Sequence, residues 1–528
     1  MKKALILLLV LSLAAFSFSA FAVEKGGTLV VHSSQTFKDM NPMVLNDVYS
    51  GYVTNAIFDE LLYLNPETLQ PEPYLAKSWE FSEDKCEITF HIREGVEAHN
   101  GETINAEDVA FTFNWIIDPE NGSPNATEFE WLKEVQVVDD YTAKFITKPE
   151  QCPFAPALQA ESFSIVPKDT FLEMGPEEFN RNPVGSGPFK FQEWKSGDHI
   201  TVVKNEDYWL KEPNLDKVIF RPIPKLATAM LELEKGGVDI TDNITSEEIP
   251  RFEKMEDVMV KQKPSLSYFY FAFNTSKAPF SDRRFRKAVY ASTSFDDAVQ
   301  AIFKGLTGIR AYGAVPPALW ANDRDYLKNQ IAIEEDDEMA GELFDELREE
   351  GVIPENFAPT IYCPPDPRRE KLGTIVATNL KEHGINAKVQ PLEWGAYLDL
   401  LYRSEENPEG DYGMYVIGWS GSPDPYAFLY YLFTSENAVV GSANNFSWYK
   451  NIDVDSLIGA ANTTFDRSRR RSLYVWAQRK VMDAYVHIPG YHYIETRGVR
   501  SRVHGFSVDP MSSMPLVDPE TNVWVEQK

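Results

Sequence analysis

The sequence predicts an α/β protein with more than one lobe. The chain has 528 residues, of which 43% are hydrophobic and 25% are charged, so its composition is globular and its length exceeds one hydrophobic core. Two stretches also follow the order of α/β units. In one of them, strand Pro359–Tyr362, helix Arg368–Glu382 and strand Ile385–Val389 predict a right-handed βαβ crossover.

The other α/β unit lies nearer the N-terminus. The apolar spacing of Leu226–Glu234 predicts a helix, and Gly236 follows where a left-handed C-terminal residue is favoured. Strand Val238–Ile240 comes next. Periodicity predicts further elements, namely strands at Leu61–Leu64, Ser78–Phe81, Glu87–Ile92, Val135–Val138, Thr142–Ile146, Phe189–Trp194, His199–Lys204, Tyr268–Asn274 and Gly490–Glu495, and helices at Val48–Leu64, whose end overlaps the short strand Leu61–Leu64, at Asp336–Glu350 and from Asn105 onward.

The first residues have the pattern of a secretory signal peptide. Lys2 and Lys3 precede the apolar run Ala4–Phe16, and Ala20–Ala22 is a small-residue cleavage site. We therefore predict a signal peptide over residues 1–22, cleaved after Ala22, and an exported mature protein. The apolar run is shorter than the roughly 20 residues that span a bilayer, and no cysteine follows it, so we predict neither a membrane anchor nor a lipoprotein.

The charge balance excludes some partners. The formal net charge is −29, which argues against nucleic acid and anionic membrane surfaces because both require basic patches. The three cysteines, Cys86, Cys152 and Cys363, match no metal-site spacing. We interpret them as buried small apolar side chains. A Cys86–Cys152 disulfide, which export permits, is the alternative.

One loop has the composition of a binding loop. Gly418–Pro425 carries a tryptophan and a carboxylate among small residues, between the strand-like Met414–Ile417 and the helix-like Tyr426–Phe433. Loops of this kind present side chains and backbone groups to ligands.

Four separated blocks stand in order along the chain. They are Pro73–Glu80 with Ile92–Val96, His99–Glu102 and Ala106–Val109, then Gly185–Phe189 with Asn205–Trp209, then Phe273–Asn274 with Pro279–Ala288, and last the Gly418–Pro425 loop. Together they resemble bacterial extracellular solute-binding proteins of family 5, which are receptors of ABC importers. Ala98 and Asn100 depart from the family pattern within a turn of the first block.

The resemblance implies a two-lobed periplasmic binding protein of type II, cluster C-like, with an extra small subdomain in lobe I and a two-strand hinge. Tyr268–Asn274 and Gly490–Glu495 are the predicted hinge crossings. The implied boundaries are residues 23–272 for lobe I, about 55–184 for its subdomain, 273–489 for lobe II and 490–528 for the return to lobe I.

The resemblance also implies a function and a set of ligand-binding residues. The protein would capture oligopeptides or dipeptides between its lobes, act as a monomer without a cofactor, and deliver the ligand to permease subunits. Core packing is the alternative for Trp419 and Trp394, and we assign Trp79 and Trp209 to the core. The predicted ligand-binding residues are Ser33, Ser34, Gln35, Trp394, Gly418, Trp419, Ser422, Asp424 and Tyr426.

The ligand class stays open at this point. Peptide receptors of the family place an Asp in a GW-x-x-D arrangement, because a buried ammonium needs a charge partner, whereas this chain has Ser422 there. Asp424 either replaces that carboxylate or caps the following helix. An oligosaccharide is the alternative ligand, since some members of the family bind β-linked oligosaccharides through stacked aromatic rings.

A secreted hydrolase is the alternative from another class of protein. The sequence has no nucleophile elbow. The histidines form no metal-binding pair at helical spacing, and His487 and His492 lie five residues apart across Pro489. We therefore predict a binding protein that has neither a metal site nor catalytic residues.

Overall fold

The computed structural model describes residues 26–155, 163–441 and 444–527. The predicted signal peptide and its cleavage site after Ala22 lie outside these residues. Among the helices within these ranges, none combines the length and the apolar composition that a membrane crossing requires.

Strands and helices alternate along most of the chain. The strands are β1 (Thr28–Ser33), β2 (Leu62–Leu64), β3 (Pro71–Pro73), β4 (Ala76–Phe81), β5 (Glu87–Ile92), β6 (Leu132–Asp139), β7 (Thr142–Thr147), β8 (Phe189–Lys195), β9 (His199–Lys204), β10 (Lys217–Pro222), β11 (Val258–Pro264), β12 (Ser267–Phe273), β13 (Gly308–Arg310), β14 (Thr360–Cys363), β15 (Lys388–Pro391), β16 (Met414–Ser420), β17 (His487–Arg500), β18 (Val503–His504) and β19 (Trp524–Val525). The α-helices are α1 (Val48–Ile57), α2 (Ala106–Ile117), α3 (Lys168–Met174), α4 (Pro176–Arg181), α5 (Leu226–Lys235), α6 (Ile249–Phe252), α7 (Arg283–Ala291), α8 (Phe295–Phe303), α9 (Arg324–Gln330), α10 (Asp337–Glu349), α11 (Pro367–Glu382), α12 (Trp394–Tyr402), α13 (Tyr426–Phe433), α14 (Ile452–Asn462) and α15 (Arg467–Asp483).

Lobe I is built on a four-stranded sheet with the order β1-β10-β9-β8, in which β1 and β10 are parallel. Its subdomain has a second four-stranded sheet, β4-β5-β7-β6, which is antiparallel throughout. Helix α2 covers that sheet and begins with a capping box. The Asn105 side chain accepts a hydrogen bond from the backbone of the first turn, and the Asp108 side chain accepts one from the backbone N–H of Asn105. The predicted strands of this region, Ser78–Phe81, Glu87–Ile92, Val135–Val138 and Thr142–Ile146, are confirmed.

The predicted helix Val48–Leu64 is wrong beyond Ile57. A longer helix would need the Leu61 N–H to bond the Ile57 carbonyl. Instead, that carbonyl accepts from Gly187 N at 2.8 Å, and Leu61 N donates to Phe163 O at 3.0 Å. Contacts with a distant part of the chain therefore end α1, and local periodicity does not contain them.

The α/β units occur where the sequence predicts them. Helix α5 ends at Gly236, which has φ 78° and the left-handed conformation expected of a C-terminal glycine. Strands β14 and β15 are parallel and are joined by α11, so the predicted βαβ crossover is confirmed. The predicted strand Val238–Ile240 is reduced to isolated bridges of Ile240 with Val31 and Val499.

Strand β17 ties the two lobes together. It runs over 14 residues, much longer than the predicted Gly490–Glu495. Its second half pairs with β11 of lobe I, and its first half pairs with β12 of lobe II. The chain therefore crosses between lobes at Tyr491–Ile494 and at Pro264–Ser267. The latter segment just precedes the predicted crossing Tyr268–Asn274, most of which lies inside β12.

Lobe II contains a sheet that is buried on both faces. All seven residues of β12 are buried. Tyr268 and Tyr270 pack into one hydrophobic cluster with residues of α13 and α15, whereas Phe269 and Phe271 pack into another with residues of α7 and α10. A strand buried on both faces is nearly continuous in hydrophobic residues, which explains the run from Tyr268 to Phe273.

The structure corrects the interpretation of two cysteines. Cys86 and Cys152 form a disulfide, with a Cα–Cα distance of 5.2 Å, and neither is fully buried. Cys363 is free and buried at the end of β14, as predicted. Cys86 lies at the start of β5 and Cys152 follows β7, so the antiparallel sheet brings together residues that are 66 positions apart.

We expect the stability of the protein to fall at acidic pH through His492, which lies in a crossing segment and bonds Ser267 O at 2.6 Å through Nδ1. Burial, reinforced by Arg310, lowers the pKa of His492 to about 4. Unfolding releases the ring to its ordinary pKa of 6.5, so the stability from this residue is complete above 6.5. It is lost as the pH falls toward 4, by up to about 3 kcal/mol.

Chemical unfolding of wild type and His492→Asn across this pH range measures the effect. The variant should show a shallower dependence of unfolding free energy on pH. Identical slopes for the two proteins would contradict the assignment.

Candidate functional site

The carboxyl ends of parallel strands meet at one edge of the lobe II sheet. Strand β14 is parallel to both β15 and β16, so the three strands end together at Cys363, Pro391 and Ser420. Ligands of open α/β sheets bind in the crevice outside such ends. The predicted loop Gly418–Pro425 begins at this edge, and α11 and α12 start there as well.

Lobe I presents a similar edge. Strand β1 ends at Ser33, beside the parallel β10 and the bridge at Ile240. Asp242 follows that bridge and is buried. Its carboxylate accepts from Ser34 N and, at 2.9 Å, from Ser34 Oγ. Nδ1 of the buried His32 lies 3.1 Å from Oδ1 of Asp242. The carboxylate is therefore anchored to the end of β1.

A cavity of about 760 Å³ lies between the lobe I edge and the first turns of α11 in lobe II. Its volume is in the range of sites for small ligands. Lobe I, lobe II and the crossing strand β17 all contribute to its walls. Its main polar and charged lining residues are Ser34, Asp242, Glu247, Arg368, Lys371, Glu495 and Arg497, and its aromatic ones are Tyr49, Tyr52, Phe303 and Tyr493.

Arg497 is the most deeply buried cation of the cavity, with 2% of the residue exposed. Its Nη1 donates to Asp242 O and lies 3.0 Å from Glu495 Oε2. Burial opposes the charged form, but Tyr52, Glu495 and Asp242 outweigh burial and raise the pKa of Arg497. Nε and Nη2 are buried and have no hydrogen-bond partner among the residues that the structure describes. This side chain therefore holds unused donors, which is unusual for a buried charge.

The lobe II wall adds two exposed cations from the first turns of α11. The guanidinium of Arg368 lies 4.7 Å from the centre of the Tyr493 ring and bonds Asp366 Oδ2 at 2.8 Å. Lys371, one turn further, donates to Ala301 O. With Asp242, Glu247 and Glu495, these residues give the cavity charges of both signs.

Three of the predicted site residues lie at the lobe I edge. Ser34 lines the cavity. Ser33 is buried, and its Oγ donates to Gln35 O at 2.7 Å, which fixes the turn after β1. Gln35 is exposed, and its side chain reaches Tyr49. Ligand contact by Ser33 and Gln35 stays a prediction.

Trp419 and Gly418 lie at the end of β16. Trp419 is half-buried, and its Nε1 donates to Ala427 O at 2.8 Å. Its ring centre is 5.8 Å from that of Tyr431. A Cβ atom at Gly418 would overlap the ring of Phe269, which explains the glycine. Neither residue lines the cavity, so their contact with ligand stays a prediction.

The outer edge of β16 offers free backbone groups. Strand β12 pairs with β16 along its whole length, whereas β14 pairs only with Met414 and Tyr415. Within the described ranges, no strand pairs with this side of Ile417–Ser420. An extended chain can add to such an edge through main-chain hydrogen bonds.

Asp424 is buried in an ion pair. Its two oxygens each accept from Arg470 at 2.8 Å, and Oδ1 also accepts from Tyr426 N at 2.8 Å. Arg470 is 7% exposed and lies in α15. The structure therefore places Asp424 in a buried salt bridge within lobe II, and its bond to Tyr426 N lies at the start of α13, where Pro425 and not Asp424 is the N-cap residue.

The remaining predicted residues do not converge on the cavity. Ser422 is exposed, and Trp394 at the start of α12 is 46% exposed. Tyr426 packs against Phe154 of lobe I, with ring centres 5.4 Å apart. Trp79 and Trp209 pack on the lobe I core, as predicted.

The sequence analysis missed most of the charged wall of the cavity. Arg368 begins a helix directly after an apolar strand, and Asp242 follows the predicted strand at Val238–Ile240. Both residues could have been predicted from the sequence, because each follows the end of a predicted strand. Arg497 could not, because only the length of β17 brings it to the cavity.

Comparison with known proteins agrees with this architecture. Residues 70–439 match the model of bacterial extracellular solute-binding proteins, family 5 Middle. The dipeptide-binding protein of Escherichia coli is 28% identical, with 97% of each chain covered. The oligopeptide-binding protein AppA of Bacillus subtilis is 27% identical, covering 90% of this chain and 88% of AppA.

Solved structures show the same fold. HbpA2 from Haemophilus parasuis superposes with a TM-score of 0.83 at 25% identity, covering 95% of this chain and all of HbpA2. The Helicobacter pylori periplasmic binding protein DppA, in complex with the peptide STSA, gives 0.76 at 28% identity, covering 96% of this chain and all of DppA. Fold and cavity together define a two-lobed periplasmic binding protein. The chain belongs to family 5 of the bacterial extracellular solute-binding proteins.

We expect Gly418→Ala to destabilise lobe II. The new methyl group must displace the Phe269 ring, at a cost of about 1–3 kcal/mol for overpacking. Gly459→Ala is the matched control, because Gly459 lies in α14 with no atom within 4 Å of an added Cβ. That control should stabilise the helix by up to about 1 kcal/mol. Thermal unfolding measures both, and equal stability of the two variants would contradict the packing at Gly418.

We expect Asp424→Asn to lower stability by about 3 kcal/mol or more, because Arg470 is left as an uncompensated buried charge. Asp453→Asn is the control, since Asp453 forms an exposed pair with Lys480 at 3.0 Å and should cost under about 1 kcal/mol. Calorimetric titration of folded Asp424→Asn with the co-purified ligand should give wild-type affinity. A large loss of affinity would instead support Asp424 as a ligand anchor.

Proposed function

We propose that the protein is an exported receptor of an ABC importer that captures short peptides between its lobes and delivers them to a membrane permease. The observation that carries the proposal is the charge pattern of the cavity. Cations and carboxylates face the same space, together with aromatic rings. A peptide carries an ammonium group at one end and a carboxylate at the other, so a site with both signs of charge matches it.

Burial of the ligand makes this match energetically important. A charged group that leaves water needs a partner of opposite charge or several hydrogen bonds. For the ligand carboxylate, Arg368 and Lys371 line the lobe II wall, and Arg497 lies in the β17 wall with two buried donors that a shift of its side chain would bring to the ligand. These groups come from β17 and from lobe II, so one carboxylate between them would join both parts of the site.

The ammonium group needs a different partner from the one that the sequence suggests. Ser422 carries no charge, and both oxygens of Asp424 are occupied by Arg470. The carboxylates that face the cavity are Asp242, Glu247 and Glu495. We propose that the peptide amine is held by this group, on the lobe I side, instead of by the Gly418–Pro425 loop.

An oligosaccharide is the second candidate ligand. Tyr49 and Tyr493 line the cavity, and aromatic rings of this kind stack on sugars. A neutral sugar would leave the cavity charges to be satisfied by each other or by water. Three cations and three carboxylates therefore favour the peptide.

Closure of the lobes on the ligand follows from the difference between the ligand's affinities for the open and the closed form. A ligand that contacts both lobes binds the closed form more tightly and shifts the equilibrium toward that form. We propose that a monomer closes about the crossing segments Pro264–Ser267 and Tyr491–Ile494, and that the permease binds the closed form. Recovery of the ligand unchanged would support binding without catalysis.

Native mass spectrometry of the protein as purified tests the ligand class. We expect bound masses that fragment into amino-acid residues. Masses spaced by hexose units would overturn the peptide proposal in favour of the sugar. Turnover of the bound molecule would overturn the receptor function itself.

A residue-level test uses Lys371→Met and a peptide identified by that measurement. Loss of a charged hydrogen bond should weaken binding about tenfold or more. Lys381→Met, on the exposed surface near the end of α11, is the matched control and should bind as wild type. The C-terminally amidated peptide should bind the wild type and Lys371→Met with similar affinity. Equal binding of the free-acid peptide by all three proteins would contradict the role of Lys371.

A further inference from the structure

The lobe I subdomain touches lobe II at a place far along the chain from the hinge. Phe154 packs its ring against the edge of Tyr426, at the start of α13, with centres 5.4 Å apart. The next residue, Ala155, donates its N–H to Asn462 O at 2.7 Å. A backbone hydrogen bond between lobes exists only while the lobes are together.

A second subdomain segment touches lobe II beside the first. The ring of Phe81, at the end of β4, lies edge-on to Phe465 at 4.9 Å. The ammonium of Lys85 lies 5.6 Å from the centre of the Phe81 ring and 6.0 Å from that of Phe465. Phe465 follows Asn462 in the turn between α14 and α15, so both contacts fall on one small area of lobe II.

The disulfide joins these two contact segments. Cys86 directly follows Lys85, and Cys152 lies two residues before Phe154. We propose that the Cys86–Cys152 disulfide is the anchor of an interlobe latch, which we define as Phe81, Lys85, Phe154 and Ala155. The latch stabilises the closed form by holding both segments in the geometry that lobe II receives.

The disulfide preorganises the two contact segments, and this is the physical reason why the latch stabilises the closed form. Each contact must order its segment when the lobes close, and a cross-link removes part of that entropy cost beforehand. Trp131 stacks on the other side of Phe154 at 6.0 Å and holds its ring in place. When the latch is ordered, the closed form therefore opens more slowly and less often.

The latch also contacts Tyr426, the residue that follows the predicted binding loop. Tyr426 receives Phe154 and donates its backbone N–H to Asp424. Opening of the latch thus removes a neighbour of the segment that follows Gly418–Pro425. The inference concerns the opening of the two lobes, and it holds for a peptide or a sugar in the cavity.

Hydrogen–deuterium exchange of the ligand-free protein tests the latch directly. We expect the Ala155 amide to be protected in wild type. In Phe154→Ala, which keeps the disulfide, its exchange should rise about three- to tenfold, the change expected for one lost aromatic pair. Leu172→Ala is the control, because Leu172 is an exposed subdomain residue and should leave the exchange unchanged.

The double variant Cys86→Ser/Cys152→Ser tests the anchor. Ala155 exchange and the radius of gyration in solution scattering should both rise, while amides within β5 and β7 stay protected. Cys363→Ala, which keeps the disulfide, should behave as wild type. Unchanged Ala155 exchange in Phe154→Ala would overturn the latch. Unchanged exchange in the double variant, or loss of protection in β5 and β7 together with Ala155, would overturn the disulfide's role as its anchor.

Discussion

The structure depends on one strand that belongs to both lobes. Strand β17 pairs with β11 in lobe I and with β12 in lobe II, so the lobes share a continuous hydrogen-bonded element. Backbone pairing resists stretching along the strand but tolerates a change of twist, which permits rotation of the lobes about the crossing segments without separating them. The same strand also carries Tyr493, Glu495 and Arg497 into the cavity. Hinge and binding site therefore share one strand.

The burial of apolar and charged side chains determines the structure of each part of the molecule. Lobe II has a central strand with apolar residues on both faces, which fixes the register of β16 and hence the position of the Gly418–Pro425 loop. Among the buried charges of this lobe, Asp424 pairs with Arg470, whereas Arg286 and Arg403 are held by backbone carbonyls and neutral side chains. Arg497, in the half of β17 that pairs with lobe I, is buried with two donors that have no partner among the described residues. An incompletely satisfied buried cation is costly in the absence of a ligand, and that cost favours ligand binding.

Local features of the sequence predicted much of the fold, and distant contacts explain the rest. The helix over Leu226–Lys235 and the crossover through α11 follow from spacing and terminal residues. The end of α1 at Ile57 depends on Gly187, and the disulfide depends on the pairing of β5 with β7. Composition predicted a loop over Gly418–Pro425, but Gly418–Ser420 belong to β16 and no residue of this stretch lines the cavity. The contact of Arg497 with Asp242 spans 255 positions, and no local pattern contains it.

A crystal structure of the protein with its co-purified ligand tests the central claim most directly. The account predicts electron density in the cavity between the lobe I edge and the first turns of α11, with the ligand contacting Ser34 or Asp242 in lobe I, Arg497 in β17 and Arg368 or Lys371 in lobe II. Free donors of Arg497 should be within about 3 Å of a ligand acceptor. A ligand held by one lobe alone, or located away from Arg497, would contradict the account.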